Sequence, residues 1–208
     1  AIMIEVLKLV NWMRVKNHKD LQVDSLDVKK LTQMKAMKLL YYMQAASLVI
    51  YNEKLFSNDI VAWDYGPVVK EVNSHYHGMK SIVDNIDENA WVDYSNIEKN
   101  KKYSFIINWV VNKFNSKTAH DLMKQTHHET PWKVTPRNQV IDLSLIKDYF
   151  TKNNIFKGCQ NQLKYQEFEQ DIPNKESMSS IYEAIDDMHD HHLKAASSYE
   201  ELEKILDE

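Results

Sequence analysis

Apolar residues recur along this chain at spacings of three and four more often than of two, which predicts helices. Residues 4–17 read as a first helix, with Val6, Leu9, Val10 and Met13 on one face. A polar connector runs from Asp20 to Lys30. Thr32 then suits the cap of a second helix reaching about Tyr51, because its hydroxyl accepts from a free N–H of the first turn. Met34, Met37, Leu40, Tyr41, Ala45 and Leu48 share a face there, a Met-rich stripe that reads as core. Ile60 to Tyr65 is too short for a helix and predicts a strand. Pro67 fits the first turn of a third helix carrying Val68, Val69, Val72 and Tyr76, with Gly78 as its left-handed stop. Trp91, Val92 and Tyr94 predict a second short strand.

The clearest helical period lies in Tyr103, Ile106, Ile107, Val110, Val111 and Phe114, so the most buried helix is expected there. Ser116 is the expected cap of the next helix, which turns Ala119, Leu122, Met123 and Thr126 inward and closes around His127 to Trp132. Residues 141–150 form a further helix. Beyond a boundary near 153–159, Met178, Ile181, Ile185 and Met188 make a thin amphipathic stripe, and Ser198 to Glu201 has the capping-box pattern of a last short helix. The expected fold is mainly α: a compact helical domain over 3–152 with at most a small β element, and an acidic helical extension over 153–208.

Composition supports this reading. Three Gly and four Pro in 208 residues are too few for a fold built of strands and turns. Charge is unevenly placed. Residues 1–153 hold 21 Lys and Arg against 17 Asp and Glu, a net of +4, whereas 154–208 hold 5 Lys against 13 acids, a net of −8. The single cysteine, Cys159, cannot form an internal disulfide, which points to a reducing, cytoplasmic setting. No targeting segment is expected, since Ile4 to Val15 carries Glu5, Lys8 and Arg14. No run of eighteen apolar residues exists to span a membrane.

Candidate chemistry is sparse. Three isolated glycines make no phosphate loop, and Gly-x-Ser-x-Gly and Cys-x-x-Cys are absent. His127, His128 and Glu129 are candidate metal ligands or acid–base groups, but His-Glu-x-x-His is absent and neighbouring side chains diverge on a helix. In Asp186 to His192, Asp186, His189 and Asp190 share a helical face that would suit zinc or nickel; the plainer reading is the wet side of the 178–188 helix. The basic positions Lys29, Lys30, Lys35 and Lys38, and later Lys99, Lys101 and Lys102, are diluted by carboxylates, so sequence-specific nucleic-acid binding is not expected. No catalytic residue, metal or cofactor is assigned.

Three blocks carry a family resemblance. Leu31 to Gln44 resembles the opening of the Panacea (SocA-like) antitoxin domain, with Ala36-Met37 departing from the usual pair. Leu55-Phe56, followed by Ala62-Trp63-Asp64-Tyr65-Gly66-Pro67-Val68, is similar to its Ala-Trp-x-Tyr-Gly-Pro-Val segment. Leu122, Thr126, His127, Glu129, Pro131 and Trp132, with Arg137 after them, resemble its closing motif. The resemblance covers roughly residues 4–150 and leaves 154–208 outside.

It implies a helix-rich protein that neutralises a cognate toxin of a bacterial or phage type II toxin–antitoxin system by direct binding. It also implies that some members deliver a toxin to a protease. The toxins it implies include small alarmone-synthetase-like enzymes that transfer pyrophosphate to transfer RNA. Trp63, Tyr65, Gly66, Pro67, His127, Glu129 and Trp132, with Ile181, Ile185 and Met188 of the extension, are the expected partner-binding residues. Each of the seven motif residues also has a purely structural reading. A homo-oligomer, a protease adaptor, a metal-dependent enzyme using the His and acid clusters, and a DNA-binding module stay open at this point.

Overall fold

The computed structural model describes residues 3–24 and 26–171, with the backbone alone for 167–171. It divides into two units, residues 1–160 and the chain from 161 onward. In the first, α1 (Val6–Val23) leads to α2 (Gln33–Tyr51), then to a hairpin of β1 (Val61–Trp63) and β2 (Gly66–Val68). Helices α3 (Lys70–His75), α4 (Glu88–Lys99), α5 (Lys101–Phe114), α6 (Ala119–His128), α7 (Thr130–Val134) and α8 (Leu143–Lys152) follow, and α9 (Lys157–Asp171) runs on into the second unit. The expected mainly helical fold with a small β element is what the described residues form.

Helix α2 is the axle of the first unit, packing against α5, α8, α6, α3 and β2. Thr32 caps it as expected, its hydroxyl accepting from the Lys35 N–H at 3.1 Å. All fourteen residues from Lys35 to Leu48 are buried. The expected single apolar face is therefore corrected to burial all round, and α2, not α5, is the most enclosed helix. The reason is legible: Leu39 to Tyr51 carries no charge on any face, the mark of a central helix. Helix α5 buries one face, including Tyr103, Ile106, Ile107, Val110, Val111 and Phe114.

The polar residues of α2 act as ties to the loops around it. Gln44 donates to the Phe56 carbonyl at 3.0 Å and accepts from the Leu55 N–H at 2.7 Å. Ser47 donates to the Glu53 carbonyl at 2.8 Å, and the Lys35 ammonium to that of Asn115 at 3.0 Å. A buried helix must satisfy its polar groups or lose stability, and here each bond also fixes a loop.

Three local expectations are overturned. Trp91, Val92 and Tyr94 lie on α4, not on a strand. Asp87 caps that helix by accepting from the Ala90 N–H at 3.0 Å, and α4 packs along α1. Trp12 of α1 stacks on Tyr94 with ring centroids 6.1 Å apart and donates to Glu98 at 2.7 Å. Helix α6 is capped by Thr118 rather than Ser116, through a reciprocal capping box with Asp121.

Pro67 opens no helix; it lies in β2 opposite Ala62. The Ala62 N–H and C=O are both spent on a third segment, bonding Gln139 O at 2.9 Å and Asn138 N at 2.8 Å. Its partner Pro67 thus makes no ladder bond to β1 and loses nothing by lacking an N–H. Helix α3 begins only at Lys70.

The core of the first unit continues through Phe156 and Cys159, both fully buried. Burial pushes the Cys159 thiol up to about 12, so this cysteine is a packed apolar group and not a reactive one. The described part of the second unit is the remainder of α9, residues 161–171, where Tyr165 is exposed. Ile181, Ile185, Met188 and the 186–192 cluster lie outside the described residues.

Candidate functional site

The hairpin gathers the second and third motif blocks. Trp63, Asp64, Tyr65 and Gly66 make its turn, with Trp63 paired to Gly66. Neither Asp64 nor Tyr65 has a positive φ; Gly66, at φ 96°, takes the left-handed position that closes the two-residue loop. A second constraint fixes the same residue. A Cβ on Gly66 would sit 2.8 Å from Thr126 Oγ1 of α6 and 2.9 Å from Lys38 Cε of α2. The hairpin is thus pressed against two helices at the one residue without a side chain.

Lys38 completes that clamp. Its ammonium, fully buried, donates to the Pro67 carbonyl at 3.0 Å. Burial lowers its pKa to about 7. Next on α2, Tyr42 donates to Glu129 Oε1 at 2.8 Å. Glu129 joins α6 to α7, and burial raises its carboxyl to about 7 against the hydrogen bonds that favour its ionised form. Its Oε2 and the Tyr41 hydroxyl are both buried without a well-formed hydrogen bond, and the neighbouring carboxylate helps to hold the Tyr41 phenol protonated. Two groups that carry charge in water are therefore poised near neutrality in the interior beneath the hairpin.

On the other side of the hairpin stands an aromatic stack. The His127 ring lies on Trp132 with centroids 3.9 Å apart and planes at 10°. The Arg137 guanidinium carbon is 3.6 Å from the Trp132 ring centroid. Two planar groups at such distances cannot share a face, so the indole is sandwiched between them. Its N–H donates to the Trp63 carbonyl at 2.8 Å, which fastens the stack to the hairpin. Burial lowers the His127 pKa, and nearby Lys38, Arg137 and His128 push the same way, while the Asp64 carbonyl opposes them. A neutral ring is the form that stacks here at pH 7.

Trp63, Tyr65, Gly66, Pro67, His127, Glu129 and Trp132 are thus brought to one place, in different environments. Gly66, Pro67 and Glu129 are buried, and Trp63, His127 and Trp132 are half-buried. Tyr65 is 64% exposed at the tip. His127 and Glu129 do not converge: one ring lies on the stack, the other carboxyl faces Tyr42. Among the described residues no group of three His, Cys, Asp or Glu is arranged to hold a metal ion. Sequence reasoning named Lys38 only among the basic positions and Thr126 and Arg137 only within the motif, and missed the contacts of the first two with the hairpin and the stacking role of the third. A lysine beside a chargeless thirteen-residue stretch of helix was the available signal for Lys38.

Two clefts flank the tip. One, of about 400 Å³, is lined by Met34, Met37, Lys38, Trp63, Tyr65 and Met79, among others. The second, of about 310 Å³, is lined by Trp63, Asp64, Tyr65, Arg137 and Asn138. No described helix is long and apolar enough to cross a membrane.

The described residues thus form a helical scaffold that displays a fastened aromatic hairpin. Residues 37–133, from α2 through most of α7, match the model of the family described as antitoxin SocA-like, Panacea domain, so the chain carries a segment similar to that domain. The match supports an antitoxin role in general. No curated protein and no solved structure matches the chain.

Proposed function

We propose that this protein is the antitoxin of a type II toxin–antitoxin pair and neutralises its toxin by direct contact through the β1–β2 hairpin face. The observation that carries the reading is Tyr65, a large aromatic 64% exposed at the tip of a hairpin held by Lys38, Trp132 and residues 138–139. Binding energy concentrates in Tyr, Trp and Arg side chains on preorganised surfaces, and this face holds Tyr65, Trp63 and Arg137 together. A fixed hairpin also has little conformational entropy left to lose on binding. The acidic segment from 154, at net −8, is a second element of the proposal. A toxin acting on ATP and transfer RNA needs a basic cleft, and an acidic segment complements that field.

The test is co-expression with the product of the adjacent reading frame. Growth should be rescued by the intact chain, the two proteins should co-purify, and Tyr65→Ala should weaken the complex without lowering thermal stability. Rescue and co-purification unchanged by Tyr65→Ala together with Trp63→Ala would remove the hairpin from the interface. A neighbour that is not toxic and does not bind would remove the antitoxin reading itself.

A further inference from the structure

We propose that Arg137 is the anchor for a single acidic side chain, an aspartate or glutamate, on the toxin; this rests on the antitoxin reading and names the chemistry of its contact. The guanidinium is held in place without being used up. Stacking on Trp132 fixes its plane, and Trp132 is itself held by His127 and by the Trp63 carbonyl. Its only hydrogen bonds among the described residues are long ones to the Trp132 carbonyl, at 3.3 and 3.4 Å. No carboxylate among the described residues forms an ion pair with it. A guanidinium carries five N–H donors in a rigid fork, so most of its capacity is unspent.

That capacity borders the 310 Å³ cleft shared with Asp64, Tyr65 and Asn138. A planar donor fork held by a stack suits a planar carboxylate, which it binds through two parallel bonds. Tyr65 beside it offers apolar surface for the stem of the incoming side chain. Nucleic acid fits poorly. A phosphate backbone is held by rows of cations, whereas this cleft is lined by one arginine and one aspartate that form no ion pair with each other. Both faces of Trp132 are already covered, leaving no indole face on which a base could stack. Asp64 adds selectivity: one carboxylate is drawn to Arg137, while a second negative charge alongside is repelled.

The experiment measures toxin affinity by titration calorimetry on the full chain, with thermal melts of every variant. Arg137→Gln should weaken binding by at least about thirtyfold, the loss that marks a hot spot. Arg137→Lys should recover part of it, since it keeps the charge and loses the fork. Asp64→Asn should tighten binding, most at low salt. Against Arg137→Glu, toxin variants selected for regained binding should carry an acid-to-Lys or acid-to-Arg change. A complex that forms with Arg137→Gln as tightly as with the native chain, the melt unchanged, overturns this inference and leaves the antitoxin reading standing. Loss of RNA binding in Arg137→Gln with toxin affinity untouched overturns it in favour of nucleic acid. Absence of any complex with the native chain overturns both.

Discussion

Replacing Gly66 by alanine tests the clamp between hairpin and helices, and Gly78 supplies the control. Both glycines have positive φ, 96° and 77°. Alanine in that region costs about 1–2 kcal/mol at either position. They differ in surroundings: nothing lies within 4 Å of a Cβ on Gly78, whereas one on Gly66 meets Thr126 Oγ1 at 2.8 Å and Lys38 Cε at 2.9 Å. Those contacts cannot relax cheaply. The Thr126 hydroxyl is held by the Met123 carbonyl at 2.8 Å, and the Lys38 ammonium by Pro67. Overpacking of this kind adds about 1–3 kcal/mol. Gly78→Ala should therefore cost about 1–2 kcal/mol and Gly66→Ala about 2–5, read from urea unfolding followed by circular dichroism. Adding Thr126→Ser to Gly66→Ala should not help, because the hydroxyl stays. Adding Thr126→Ala should return part of the loss. If the two glycine variants shift the midpoint equally, the close approach of hairpin, α2 and α6 is wrong.

Stability should also respond to pH through Glu129. Its carboxyl titrates near 7 in the fold against an ordinary 4.5, so between these values the native state holds a proton that the unfolded chain has released. Its contribution is greatest below pH 4.5 and falls as pH rises through 7, by roughly 3 kcal/mol; Glu129→Gln, which still accepts from Tyr42, should flatten that fall in denaturation curves taken from pH 4.5 to 8. Lys38 works in the opposite sense, its amine titrating near 7 rather than 10.5, so stability should rise from pH 7 to 10.5 as the unfolded chain gives up its extra proton. Lys38→Met should remove most of that rise, leaving the smaller part from Lys35, lowered to about 8, and a rise of native size in the variant would refute the assignment. Truncation after Asn153 removes the buried Phe156 and Cys159 and should cost at least about 3–5 kcal/mol relative to truncation after Gln160, which keeps them. If the acidic segment meets a basic cleft, the chain ending at Gln160 should also bind its toxin more weakly, with the difference shrinking at high salt.

The elements legible in the sequence were those whose partners lie close along the chain or whose pattern admits one reading. Thr32 and the apolar run behind it specify α2, and Tyr103 to Phe114 specify α5. The hairpin was half legible. Ile60 to Tyr65 read as a strand, but Val68, Val69, Val72 and Tyr76 also fit helical spacing, and a proline before them suits a helix start equally well. What decides for β2 is tertiary: residues 138–141 occupy the far edge of β1, and Lys38 takes the outward Pro67 carbonyl. Likewise Trp91 and Tyr94 have strand-like residue types, and the Asp87 cap together with the packing of α1 against them makes a helix the better solution. The motif blocks brought the hairpin, His127, Glu129 and Trp132 to notice together. They did not reveal why the residues belong together, because the Lys38 bond to Pro67 and the Trp132 bond to the Trp63 carbonyl join segments far apart in sequence.

The buried polar groups beneath the hairpin bear on how such a face can be kept rigid. An apolar residue at position 38 would avoid the cost of burying an amine, and apolar replacements of buried ionic groups are often neutral or stabilising. It would also leave the Pro67 carbonyl buried without a donor and free the hairpin to slide on α2, since apolar contacts are non-directional. The Lys38 bond, the Trp132 bond to the Trp63 carbonyl and the two bonds from Ala62 to residues 138–139 set the hairpin's position in three directions. Directional bonds of this kind exchange some stability for one fixed placement. On the proposed reading that placement is what the toxin meets: Tyr65 and Arg137 stand at a set separation before any partner arrives, so less ordering remains to be done on binding. Loosening any of the three ties should then raise the dissociation rate of the complex even where the isolated protein melts at its native temperature.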